Sequence, residues 1–133
     1  MGYRSFLVAL AMTPIIGAWA SAADGIAVVG YLPEYRIGGV VPERLAAISD
    51  LVYFGLEPSV DGQLPHPLIE ATTLKKLHQI KQLTPCRLLI CMGGWERSQG
   101  FPALAKDDAR RHRFIESLLT YCTENNIDGV DYD

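Results

Sequence analysis

The stretch Asp128-Gly129-Val130-Asp131-Tyr132-Asp133 reads as a β-strand that carries carboxylates. Val130 and Tyr132 favour strand, and alternation turns Asp131 and Asp133 to the same side with Cα atoms ~6.6 Å apart. Two carboxylates held that close repel, so one of them tends to keep a proton near neutral pH. Acids are rarely buried without partners, and this pattern points to paired acid chemistry. The alternative is a solvated acidic turn or a metal loop. Calcium loops of the EF-hand type need acids at alternating positions followed by Gly, a pattern that D-G-V-D-Y-D does not supply.

Working outward, three further strands and the helices between them can be read upstream. Residues 25–31 (GIAVVGY) form an apolar, β-branched run closed by Pro33, the mark of a buried strand. A loop with Gly38 and Gly39 leads to a short Pro-led helix over 42–48, then to a second strand over 50–56 (DLVYFGL). Pro65 and Pro67 precede a helix over 68–83, with Leu74, Leu77, Ile80 and Leu83 as its apolar positions. Pro85 ends it, and 87–92 (RLLICM) is the third strand, running into a Gly-rich, flexible loop at Gly93-Gly94-Trp95. Asp107 and Asp108 place acid where a helix dipole favours it, and Phe114, Ile115, Leu118, Leu119 and Cys122 line one face of the helix that follows. Asn125-Asn126 ends that helix, and the acidic strand comes next. Alternation of strand and helix at these spacings predicts an α/β fold with a parallel sheet and right-handed crossovers. In such folds ligands meet the carboxyl ends of the strands, where Tyr31, Cys91 to Trp95 and Asp131 to Asp133 fall.

The 133 residues are 49% hydrophobic and carry a net charge of -3, which excludes disorder and gives no electrostatic footprint for nucleic acid or anionic membranes. The basic run Arg110 to Arg113 is offset by Asp107, Asp108 and Glu116 and reads as a solvated face. His66 and His78 stand alone without metal-ligand spacing, and no phosphate loop is present, so neither a metal nor another cofactor is expected. At the amino end, Arg4, the apolar stretch 6–19 and the Ala20-Ser21-Ala22 site predict a cleaved export signal over 1–22 and a secreted product free of the membrane. The apolar stretch is too short, and too interrupted by Thr13, Pro14 and Gly17, for a membrane span. Cys86 and Cys91 are too far apart along one strand to bridge each other. Cys86 and Cys122 fall at the same end of neighbouring elements, which leaves a disulfide between them open beside the alternative of buried thiols.

D-G-V-D-Y-D resembles the first six residues of the D-G-x-D-x-D-x-E signature of family 18 glycoside hydrolases, the chitinases and their relatives. Cys91-Met92-Gly93-Gly94-Trp95 resembles the family's S-x-G-G motif on strand three, and Val28-Val29-Gly30-Tyr31 its first strand. The resemblance implies that 23–133 is a partial catalytic domain, the amino-terminal half of a (β/α)8 TIM barrel interrupted in strand four. It implies cleavage of β-1,4 bonds between N-acetylglucosamine units of chitin-type polysaccharide, with the sugar's own acetamide as nucleophile. Asp133 would orient that acetamide and Asp131 would share a proton with it, while Asp128 would be structural. Tyr31 would hydrogen-bond into the acidic cluster and Trp95 would stack on a sugar ring; the alternative for both is ordinary packing. Gly93 and Gly94 would shape the site. Tyr53 and Phe54 resemble the family's aromatic second strand, with the register between them open.

Two departures bear on function. Cys91 stands where the motif has serine, replacing a hydroxyl donor to Asp131 with a weaker thiol. The signature's closing Glu, the general acid, falls two positions beyond Asp133. The 133 residues alone are therefore expected to be inactive, to aggregate through unpaired strand edges, and to represent part of a longer reading frame. The rival reading is a chitin- or glycan-binding lectin that keeps the groove without turnover; a hydrolase directed at peptidoglycan or N-glycan cores is a third.

Overall fold

A computed structural model describes residues 26–133, so the expected export signal over 1–22 lies outside the described residues. Four parallel strands, β1 (Val29–Pro33), β2 (Asp50–Leu56), β3 (Arg87–Met92) and β4 (Gly129–Tyr132), form one sheet in the order β1-β2-β3-β4. Helix α1 (Ala71–Leu83) connects β2 to β3, and α2 (Phe101–Lys106) and α3 (Asp108–Glu124) connect β3 to β4. Every crossover thus returns the chain to the same end of the sheet, which is what a parallel ladder demands.

Alternation sorts the side chains into two layers. Leu32, Leu51, Tyr53, Leu88, Ile90 and Met92 point to one face and bury against Leu77, Ile80, Phe114 and Leu118 of the helices. Tyr31, Phe54, Cys91 and Asp131 stand on the other face. Among the described residues no helix covers that second face, which is why Tyr31 stays 56% exposed although it sits in a strand. The face opposite the helices is the one that carries the acids.

The amino ends of the strands are tied by ion pairs. Arg87 Nε donates to the buried carboxylate of Asp50, across β2 and β3. Asp128 Oδ2 accepts from Leu88 N at 2.8 Å and from Lys81 Nζ at 2.8 Å, joining the start of β4 to β3 and α1.

Several expectations need correction. The first strand is Val29–Pro33 rather than 25–31, and its burial is one-sided; Pro33 closes the strand instead of following it, and among the described residues β1 pairs with β2 alone. The helix expected over 42–48 is a single 3-10 turn, Pro42–Leu45, preceded by another at Glu34–Gly39. Helix α1 begins at Ala71, since Ile69 ahead of it is tucked into the core. Leu83 is 70% exposed. Its three-residue spacing from Leu74 lags the helical repeat by about 60° per step, so nine residues on it faces away. Ile115 and Leu119 likewise stand exposed on α3, beside the buried Phe114, Leu118 and Cys122.

The Gly-rich loop after β3 contains a helix the sequence reading did not predict, α2, with Pro102 in its first turn and Leu104 buried. Cys86 and Cys122 both belong to the sheet-helix core, but no disulfide forms: all three cysteines are buried free thiols, and Cys86 Sγ lies 2.9 Å from Thr84 Oγ1.

Candidate active site

The site is assembled at the carboxyl ends of the strands. Register places Pro33, Phe54, Cys91 and Asp131 side by side on the four strands, one residue each, in a single layer of the open face. Tyr31 stands one layer lower on β1. Four flat parallel strands would separate β1 from β4 by ~14 Å. Yet Tyr31 Oη donates to Asp131 Oδ2 at 2.8 Å, so the sheet curls until its outer strands face each other across the concave side.

That hydrogen bond raises the Tyr31 phenol above its ordinary value, and the phenol stays protonated as a donor. Cys91, fully buried on the strand next to Asp131, is the second neighbour of the carboxylate. Burial first, and then its hydrogen bond with Asp131, pushes the Cys91 thiol up to about 12. Cys91 is therefore a neutral thiol and not a thiolate. Asp131 accepts from Tyr31 and lies beside Cys91, while Asp133 projects beyond it into an open cleft of about 750 Å³ that also includes Phe54 and Trp95. Trp95 is 87% exposed, an apolar plane presented to solvent at the rim of a groove.

The two glycines of Gly93-Gly94-Trp95 have a specific cause. Both take left-handed backbone, φ 95° and φ 77°. A Cβ on Gly93 would collide with the main-chain oxygen of Asp133, and one on Gly94 would lie 2.5 Å from Asp133 Oδ2. Without side chains, this loop comes down onto β4. Gly94 N donates to Asp133 O at 3.0 Å and Ser98 Oγ to the same oxygen at 2.9 Å, so the loop fixes the backbone that carries the outer acid. Asp128 lies away from the cleft, in the Lys81 and Leu88 contacts at the amino end of β4.

The structure thus brings Tyr31, Cys91, Gly93, Gly94, Trp95, Asp131 and Asp133 together and leaves Asp128 apart. It also settles the register of the second strand: Tyr53 buries against the helices and Phe54 faces the cleft beside Asp133. Alternation counted from the β1–β2 pairing decides this, a pairing not legible in either strand alone. Glu34, Arg97 and Ser98 were missed because their positions depend on loops. Among the described residues no group of three or more His, Cys, Asp or Glu side chains is arranged to hold a metal ion.

Paired carboxylates and an exposed indole thus stand together at the carboxyl end of a curled parallel sheet. The sequence profile of Glycosyl hydrolases family 18 matches residues 28–133, and the chain belongs to that family. Chitinase A1 of Niallia circulans is 23% identical over 167 aligned residues, covering 87% of this chain and 24% of that protein. The solved family 18 N-acetylglucosaminidase of Paenibacillus barengoltzii is 29% identical with a TM-score of 0.67, covering 82% of this chain and 31% of that one. Human YKL-39, described as a pseudo-chitinase with retained chitooligosaccharide binding properties, superposes with a TM-score of 0.66 at 20% identity, over 82% of this chain and 32% of that one. The chain therefore spans about a quarter to a third of the length of these relatives. Its sheet is part of their (β/α)8 barrel, the amino-terminal half that the acidic motif implied.

Proposed function

We propose that this chain supplies the acid-bearing half of the active site of an exported hydrolase that cleaves β-1,4 bonds between N-acetylglucosamine units. The observation that carries the reading is the Asp131 carboxylate accepting the Tyr31 hydroxyl across the curled sheet, with Cys91 as its register neighbour and Asp133 next to it on the cleft side. In this reading Asp133 orients the substrate acetamide as it attacks the anomeric carbon and stabilises the oxazolinium ion that forms. Asp131, fixed by the Tyr31 hydroxyl, steadies Asp133 in that role. Trp95 stacks on a sugar ring at the rim. In this reading the leaving oxygen takes its proton from the closing Glu of the family signature. Arg4, the apolar stretch 6–19 and the Ala20-Ser21-Ala22 site support export.

The test uses the complete polypeptide that contains this segment and an N-acetylglucosamine hexamer. Release of shorter oligomers, with kcat lowered about a hundredfold by Asp133→Asn and about tenfold by Tyr31→Phe, is the expected result. A wild-type protein that neither binds nor cleaves the hexamer overturns the proposal. The second reading, a non-catalytic glycan binder, is favoured by the likeness to human YKL-39. Tight binding of the hexamer without product release would select it.

A further inference from the structure

Glu34 and Arg97 were singled out by neither the sequence nor the reaction, yet they form an ion pair inside the cleft. Arg97 Nη2 donates to Glu34 Oε1 at 2.8 Å, joining the residue after β1 to the loop after β3 across the intervening strand. The pair has a built seat. Between Phe54 and Leu56 the β2–β3 register shifts, and Gly55 at the shift takes φ 128°. A Cβ there would lie 2.6 Å from Arg97 Nη1 and 3.0 Å from Glu34 Oε2. The missing side chain of Gly55 is thus the space in which guanidinium and carboxylate meet.

Arg97 also closes the turn that presents Trp95. Its N–H donates to Gly94 O at 2.7 Å, and Glu96 inside the turn takes φ 63°. On one side this turn is tied to β4, through Gly94 N and Ser98 Oγ on the Asp133 carbonyl. On the other side the Arg97 to Glu34 pair is its tie to β1. The indole itself is almost fully exposed and has little packing of its own to hold it. Its direction depends on the two ends of its turn.

We infer that Glu34 and Arg97 are positioning residues for Trp95: the pair anchors the free side of the 94–97 turn and sets the indole as a sugar platform beside Asp133. The inference deepens the proposed function and rests on it for the nature of the ligand, but not for the effect on the turn. Since both partners are partly solvated, the anchor weakens with salt.

The experiment takes the complete polypeptide labelled with 5-fluorotryptophan, the Trp95 resonance being assigned by Trp95→Phe. Arg97→Met and the milder Glu34→Gln, which removes only charge, are compared with wild type for fluorine linewidth and for hexamer affinity, alone and with Trp95→Ala. The expected result is a sharpened, mobile Trp95 signal in both variants, KM raised about fivefold with kcat within twofold, and no further loss of affinity when either change is added to Trp95→Ala. Arg97→Lys keeps the charge and restores part of the affinity. An unchanged Trp95 signal overturns the inference, and so does an undiminished loss on the Trp95→Ala background, which would mean that Arg97 touches the sugar itself. A mobilised Trp95 in a protein whose wild type binds no N-acetylglucosamine oligomer supports the anchor and rejects the glycan reading.

Discussion

At the scale of single residues, the departure from serine at Cys91 is the most informative feature of the site. Its thiol, pushed up to about 12 against an ordinary 9.0, lies beside Asp131 on the neighbouring strand and does not ionise at working pH. Cys91→Ser places a stronger donor beside Asp131 and is expected to hold or raise kcat, whereas Cys91→Ala leaves a gap beside that carboxylate and lowers kcat several-fold. The linkage sign follows from the direction of the shift. The unfolded thiol releases its proton near its ordinary value while the native thiol keeps it, so the thiol's contribution is complete below about pH 9 and declines as pH rises towards 12. Urea midpoints of wild type are therefore expected to fall relative to Cys91→Ser across that window; parallel curves would contradict the burial and bonding assigned to the thiol. Asp128 works with the opposite sign. Burial raises its carboxyl, but the bonds from Lys81 and Leu88 N–H outweigh this and hold it below the ordinary 3.8. Asp128→Asn is expected to cost about 2 kcal/mol near neutral pH, with the difference from wild type narrowing as pH falls through 4.

Among the elements, strands were read more reliably than their neighbours, for physical reasons. β2 and β3 match their sequence runs residue for residue, because a central parallel strand is apolar on both faces and Asp50 and Arg87 mark where each begins. β1 lacks that double burial within residues 26–133, with Val29 and Tyr31 exposed, so its sequence run is a poorer guide to its bounds. Helix α2 hid behind Gly93, Gly94 and Gly100, since six residues are too few to show a periodicity; its Phe101 is secured by an edge-to-face contact with Tyr132 of β4, 6.1 Å between ring centres. The site was legible to the extent that it lies on strands: Tyr31, Cys91, Asp131 and Asp133 follow from alternation. Phe54 needed the pairing register, and Glu34 with Arg97 needed the loops folded. Gly94→Ala tests the loop geometry. With φ 77° and Asp133 Oδ2 against the added methyl, it is expected to displace the outer acid and abolish detectable turnover while the far-ultraviolet dichroism of the protein is retained.

For the whole molecule, one face of the sheet is covered by helices and the other is open, with Val29 and Tyr31 largely exposed upon it. Within residues 26–133, β1 and β4 each offer a free edge. Both features belong to a barrel that the remaining strands of the relatives complete. Residues 26–133 produced alone are expected to self-associate in analytical ultracentrifugation, and the complete polypeptide to sediment as a compact particle. The curl of the sheet is also what brings Tyr31 to Asp131, so the architecture and the chemistry stand on the same contact. In the proposed reaction this contact serves a step in which the substrate's acetamide is the nucleophile, and the decisive measurement is proton NMR of the first products released from an N-acetylglucosamine hexamer by the complete polypeptide. That reaction gives β-anomers at the new reducing ends, formed with retention, and loses them in Asp133→Asn. Fresh α-anomers, which signify inversion by a directly attacking water, would contradict it.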